Sequence, residues 1–128
     1  MKIWLDDLRP APEGWQWELS VNKAIECIVC AERHVESAKG MIEALKEAGL
    51  PDSHAVKWKR WIAENTIEMI SLDHDLGDQA HDGGDGIKLM DWLLERGTLY
   101  PLEFHTANPV GRANMERMYK RYWLNQTL

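Results

Sequence analysis

The stretch IEMISLDHDLGDQAHDGGDG, residues 67–86, decides how the rest of the chain is read. A short apolar run, residues 67–72, breaks at Asp73-His74-Asp75. A polar loop with Gly83 and Gly84 follows, and a helical pattern opens at Asp85 or Gly86. The order is strand, acidic loop, helix. In open α/β sheets ligands bind outside the carboxyl ends of the strands, so this loop is where a site belongs. The chain has nine Asp, and seven of them fall in two loops: Asp6 and Asp7, then Asp73, Asp75, Asp78, Asp82 and Asp85. Carboxylates gathered on short side chains at strand ends suit a hard cation such as Mg²⁺ or Mn²⁺, which takes oxygen ligands in tight geometry.

Working outward, residues 1–5 form a first strand that ends in Asp6-Asp7-Leu8-Arg9-Pro10-Ala11-Pro12. Two prolines in three residues forbid continued strand pairing and disfavour helix. The loop therefore holds Asp6, Asp7 and Arg9 near the strand end, and two adjacent Asp repel each other unless something neutralises them. Residues 15–19 alternate apolar and polar, the pattern of a half-exposed strand. From Ser20, a good N-cap, a helical pattern runs through Val21, Ala24, Ile25, Ile28 and Val29. It continues, with Gly40 as a weak interruption, until Gly49 and Pro51 end it. A second helix spans about residues 53–64.

Residues 67–72 read as a central strand covered on both sides. A helix through Ile87, Met90, Leu93 and Leu94 closes at Gly97. Residues 102–106 make a fourth strand, and Asn108 with Pro109 opens the last helix. Strands one and three read as central and two and four as edges, which gives a mainly parallel sheet in order 2-1-3-4. One link is awkward. Residues 6–14 are fewer than the dozen usual for a parallel crossover, so strand two is expected to pair poorly or run antiparallel.

Bulk properties narrow the class. A chain of 128 residues is one domain by size, residues 1–128. The net charge of −6 gives no long-range attraction to polyanions, and no duplex nucleic acid is expected as a partner. The start MKIWLDD is no signal peptide and no apolar run is long enough for a membrane span, which reads as a soluble cytoplasmic protein. Cys27, Cys30 and His34 share a helical face. The spacing allows a ligand trio, but no second Cys pair completes a zinc site, so small core side chains in a reducing compartment are the plainer reading. The helix carrying Lys57, Trp58, Lys59, Arg60 and Trp61 reads as a solvated face rather than a nucleic-acid surface. Nothing fixes the oligomeric state.

At Leu5-Asp6-Asp7, Leu72-Asp73 and Thr106-Ala107 the chain resembles a response-regulator receiver domain, a flavodoxin-like three-layer α/β fold. The resemblance implies Mg²⁺ held by Asp6, Asp7 and Asp73, with Asp73 as third ligand or phosphoacceptor and Thr106 as the hydroxyl that contacts the phosphoryl group. The receiver's first helix is replaced by residues 8–14. Its fifth strand, with the phosphate-binding Lys, is absent, which argues against ordinary phosphotransfer signalling. The motifs WLDDLRPAP, SLDHDLGD and HTANPVGRANM, in that order, resemble the divergent group called cyclic-phosphate-processing receiver domains. The resemblance covers roughly residues 1–29 and 66–120 and leaves residues 30–65 as a helical insertion.

That resemblance implies a metal-dependent phosphoesterase acting on a cyclic phosphate of a nucleotide, of ADP-ribose or of an RNA end. A cation on Asp6, Asp7 and Asp73 would stabilise charge on the phosphorus and orient the attacking water. His74 and His105 titrate near neutral pH and are the candidate general base and acid, expected to face one cavity from opposite sides. Arg9 and Arg112 are candidate phosphate clamps, and Asn108 at the last helix N-terminus offers an anion site. Asp75 would orient His74 or cap a turn. His81 and Asp82 fall in a loop expected to be mobile. Two other classes stay open: a non-catalytic metal- or phosphate-binding regulatory receiver, and an interaction module whose acidic loops meet a basic partner, with the seven Trp partly on an exposed surface.

Overall fold

A computed structural model describes residues 1–124. Four parallel strands, β1 (Lys2–Leu5), β2 (Trp15–Glu18), β3 (Met69–Leu72) and β4 (Leu102–Phe104), lie in the order β2-β1-β3-β4. The helices are α1 (Val21–Glu47), α2 (Val56–Asn65), α3 (Ile87–Arg96) and α4 (Pro109–Met118). A π-helical turn, Tyr119–Leu124, extends α4. This is the receiver-like α/β architecture the sequence predicts. No helix among the described residues is long and apolar enough to cross a membrane.

β2 is not antiparallel and does not pair poorly. It runs parallel to β1 in full register, Lys2 against Trp15 through Leu5 against Glu18. The short link suffices because the strands have only four residues. The return path along one strand is ~13 Å at ~3.3 Å per residue, and the nine residues 6–14 reach about twice that when extended.

Strand alternation sorts the sheet into two faces. Ile3, Leu5, Ile70 and Leu72 point to one side and are fully buried. Val21, Ala24, Ile28 and Ala31 of α1, with Leu89, Met90 and Leu93 of α3, form the core with them. Met115 and Trp123 complete it beside Leu102. The other face carries Lys2, Trp4, Trp15, Trp17, Met69, Ser71 and Glu103. Of these, the three Trp and Met69 do not pack on the core. The layer over this face is reduced to the 6–14 connection, which accepts the Trp4 indole N–H on the Arg9 carbonyl at 2.9 Å. Met69 is accordingly half-buried rather than enclosed, so β3 is not covered equally on its two sides.

α1 is one unbroken helix. Ser20 caps it, its hydroxyl accepting the Lys23 amide at 3.2 Å. Gly49 at φ +73° closes it, and Leu50 N–H reaches back to Leu45 O. With the Gly49 amide donating to Lys46 O, that bond forms a Schellman motif with Gly in its usual left-handed place. The segment 30–65 is thus the outer half of α1, a short 3₁₀ turn and α2. Asn65 joins the two helices: its amide donates to Trp61 O, and its oxygen meets His34 Nδ1 at 3.3 Å. Gly40 sits inside α1 with no atom within 4 Å of where a Cβ would stand. Gly40→Ala should therefore raise stability by about 0.5–1 kcal/mol in urea unfolding, because it removes backbone entropy from the unfolded chain without a clash.

Candidate functional site

The carboxyl ends of β1 and β3 place three carboxylates together. Asp6 follows Leu5 and is 1 % exposed; Asp73 follows Leu72 and is 8 % exposed. The Asp73 amide donates to the Leu5 carbonyl at 2.9 Å, which carries the parallel ladder one step past the strand ends and locks the two Asp side by side. Asp7 completes the group. One oxygen from each of Asp6, Asp7 and Asp73 lies within 4.8 Å of the other two. Oxygens that close fit a single hard cation.

Asp6 is held from four directions. Its Oδ1 accepts the amides of Leu8 at 2.8 Å and Arg9 at 2.9 Å, which folds the chain over just after the strand. Its Oδ2 meets His105 Nε2 at 3.0 Å and Arg9 Nε at 3.5 Å. His105 is in turn bonded to Ser71 through Nδ1 at 2.7 Å and stacked flat on Trp4, centroids 3.6 Å apart. Asp6 only accepts when ionised, so His105 carries its proton on Nε2 and Nδ1 accepts the Ser71 hydroxyl. Burial lowers the His105 pKa below its usual value, against the raising effect of Asp6, and the ring stays neutral at pH 7.

Asp7 has no such cradle. Its carboxyl is raised above the usual range by burial and by repulsion from Asp6, Asp73 and Asp78, although a bond to its own backbone lowers it. Gly77 lets it sit there: a Cβ at 77 would fall 2.6 Å from Asp7 Oδ2.

Across the cleft a second histidine pairs with a second carboxylate. His74 Nδ1 meets Asp75 Oδ1 at 2.8 Å, and Asn108 Nδ2 donates to Asp75 at 2.9 Å. The His74 bond and then the Asn108 bond lower the Asp75 pKa, so it is ionised at neutral pH. Asn108 also caps α4, its oxygen accepting the Gly111 amide at 3.0 Å. The His74 ring lies against Gly111, where a Cβ would come within 2.4 Å of it. His74, Asp75 and Asp85 form a second trio of close ligand atoms, in which Asp85 Oδ1 accepts the Leu76 amide and Asp75 accepts Asn108.

These groups enclose a cleft of about 350 Å³, lined by Asp6, Asp7, Asp73, Asp75, Arg9, Thr106 and Asn108 among others. Most of the residues expected from the sequence therefore converge. Arg112 does not: it is exposed and pairs with Glu116 along α4 at 2.8 Å. The two histidines do not face each other across the cleft. Neither lines it; each stands behind a carboxylate that does. His105 lies one residue past the end of β4, with both nitrogens engaged, while Thr106 turns into the cleft and accepts the Asn108 amide at 3.2 Å. Asp82 is anchored, not loose: it takes Ser20 Oγ at 2.7 Å and Asn22 Nδ2 at 3.1 Å, tying the acidic loop to the start of α1. His81 bonds the Asp78 carbonyl within the same loop. Cys27 and Cys30 are free thiols, and burial pushes Cys27 up to about 12. A wider cavity of about 500 Å³ lies between α1, α2 and Tyr100, but its Glu32 is committed to Arg96 and Tyr100.

Sequence reasoning missed Ser71, Trp4, Gly86 and Gly111. The single hydroxyl in an apolar strand was the available signal for Ser71; nothing local marks the others.

A family model described as a cyclic-phosphate processing receiver domain matches residues 1–121. The match runs straight through residues 30–65. No curated protein and no solved structure matches the chain.

Gly86 is the steric hinge of the acidic loop. Its amide donates to His74 O at 2.8 Å, and a Cβ there would stand 1.9 Å from the Asp73 carbonyl oxygen. Gly86→Ala must displace Asp73 or the start of α3, at a cost of about 1–3 kcal/mol in chemical unfolding. Full wild-type stability in that variant would mean the contact is looser than described.

Proposed function

The chain belongs to the cyclic-phosphate processing receiver domain family, and from that membership and the cleft we propose that it hydrolyses a cyclic phosphate with a divalent cation bound. The observation that carries the reading is the set of three carboxylates, oxygens within 4.8 Å of one another, opening on the same cleft as Arg9, Thr106 and Asn108. Asp6, Asp7 and Asp73 would hold Mg²⁺ or Mn²⁺. When bound, such a cation supplies charge stabilisation for a phosphoryl oxygen and orientation for water.

The remaining roles fall to the chain's own groups. Arg9 gives only its Nε to Asp6, at 3.5 Å, so its terminal N–H groups are available to a phosphate oxygen. Thr106 accepts the Asn108 amide, which leaves its O–H to donate to the same anion. The α4 N-terminus behind Ala107 and Asn108 adds favourable partial charge. Asp75, ionised and outside the cation set, is the group that takes a proton from water, and His74 Nδ1 steadies it. The proton then passes to the leaving ring oxygen as its bond to phosphorus breaks, giving a phosphomonoester and a free hydroxyl. His105 acts through Asp6: it positions a ligand rather than transferring a proton. His74 and His105 as facing acid and base are thereby replaced by two histidine–carboxylate pairs.

A non-catalytic receiver is the alternative. It is favoured by Asp73 occupying the phosphoacceptor position of the receiver resemblance, and disfavoured by the lack of a lysine among the described residues that line the cleft.

The test is a hydrolysis screen over nucleoside, ADP-ribose and RNA-terminal cyclic phosphates with Mg²⁺, Mn²⁺ or chelator. One of them should be opened in a cation-dependent reaction, and Asp73→Asn should lower turnover at least ~100-fold, the scale of losing a main charge-stabilising group. His105→Ala should weaken cation affinity about 10–100-fold, the range for a group that orients a metal ligand, and turnover should recover at high Mg²⁺. No turnover of any cyclic phosphate, with Mg²⁺ still bound, would leave the regulatory reading in its place.

A further inference from the structure

The amino end of the sheet carries a cluster that the carboxylate cleft does not use. α1 brings Cys27, Cys30 and His34 beside Met1, just before β1, and Asn65, at the end of α2. The carboxylate cleft lies at the opposite ends of the strands. The two thiols are unalike. Cys27 is half-buried against the core and pushed up to about 12 by burial and by Glu18. Cys30 is exposed, so it is not a core side chain. Cys30 and His34 both line two adjoining hollows, of about 300 and 530 Å³.

His34 is held in one tautomer. Asn65, 8 % exposed, gives its amide N–H to Trp61 O at 2.8 Å, so its Oδ1 is the atom that faces His34 Nδ1, at 3.3 Å. That oxygen only accepts, so Nδ1 carries the proton of the neutral ring. Nε2 keeps its lone pair and faces Cys30 Sγ at 3.7 Å. Trp61 packs against the ring, centroids 5.0 Å apart. The order is nucleophile, base and orienter: the thiol gives its proton to Nε2, and Asn65 keeps Nε2 turned to receive it.

The place of Cys30 limits its chemistry. It lies inside α1, where backbone amides are used within the helix, so none gathers at the sulfur to hold an oxyanion. That disfavours acyl transfer. Attack on another sulfur needs no such donors. Arg33 lines the wider hollow beside Ile25 and Val29, and Glu26 on the same wall is paired with Lys23 at 3.5 Å. The guanidinium favours a reagent that carries negative charge.

We propose that Cys30 is a nucleophilic thiol open to exchange with a small anionic disulfide, with His34 as its base and Asn65 as the residue that positions the base. The Cys30 S–H gives its proton to His34 Nε2 as the sulfur attacks R–S–S–R. A Cys30–S–S–R bond forms, the R–S–S–R bond breaks, and the leaving thiolate takes the proton as R–SH. Cys27, half-buried and protonated at pH 7, does not displace the adduct, so one mixed disulfide forms per chain. The cluster stands apart from the carboxylates, so it does not depend on the proposed activity.

The test follows the whole chain reacting with dithiobis(nitrobenzoate), an anionic aromatic disulfide, in a Cys27→Ala background that leaves one thiol. At pH 7 the native protein should react at least ~10-fold faster than the same chain unfolded in urea, where the thiol is accessible but has no base beside it. Exposure alone cannot give that excess. His34→Gln, which keeps polar bulk without a base, should fall to within about threefold of the unfolded rate. Asn65→Ala should also lose rate, and Asn65→Asp, which still offers Nδ1 an oxygen, should retain it. Circular dichroism checks each variant for folding; should one fail to fold, the comparison of native with unfolded chain still decides. A native rate at or below the unfolded one, or a rate that His34→Gln leaves unchanged, overturns the proposal.

Discussion

Everything at the functional end of the molecule turns on the buried carboxylate of Asp6. It ends β1, takes the amides of Leu8 and Arg9 to bend the chain, and accepts His105 from beyond β4. Trp17 on β2 donates its indole N–H to the Asp6 carbonyl at 2.7 Å. One residue thus joins the strand beside it, the loop after it and the far edge of the sheet. A carboxylate at 1 % exposure is costly unless it is hydrogen-bonded, and Asp6 takes the Leu8 and Arg9 amides and His105. Asp7, its neighbour in sequence, lacks those partners and is pushed up in pKa by burial and by Asp6, Asp73 and Asp78. The contrast fits a division of labour in which the scaffold fixes one ligand rigidly and leaves its neighbour's charge for a cation to neutralise.

The same economy explains the histidines. A general acid or base needs a nitrogen free to meet the substrate. His105 has none, held between Ser71, Asp6 and the flat of Trp4, and His74 is turned onto Asp75 and Gly111. Each ring instead fixes the direction of a carboxylate that does reach the cleft. In the proposed reaction Asp75 moves the proton and Asp6 serves the cation, and the histidines set the geometry of the two carboxylates.

Much of this was legible in the chain. Short apolar runs that stop at Asp6 and Asp73 revealed both the strand ends and the acidic cluster, because side-chain period and turn chemistry are local. The strand order followed from which runs were apolar throughout. The direction of β2 was not legible, since the usual crossover length presumes longer strands than these four-residue ones. The bonding of His105 to Asp6 spans 99 positions and depends on β4 lying two places from β1, which no local pattern encodes. The close approaches at Gly86 and Gly111 are likewise set by tertiary packing.

The central claim, that Asp6, Asp7 and Asp73 form a cation site, is tested most directly by unfolding wild type and Asp7→Asn at neutral pH with chelator and with Mg²⁺. A carboxyl whose folded pKa is raised opposes folding once ionised, a penalty that sets in as pH climbs through the unfolded value of 3.8 and is complete above the folded one. Asp7→Asn removes that penalty, so in chelator the variant should be more stable than wild type. Mg²⁺ at about 100 times its dissociation constant should then add about 2.7 kcal/mol to wild type and little to the variant. A variant less stable than wild type in chelator, with no gain for either protein on adding Mg²⁺, would contradict the account.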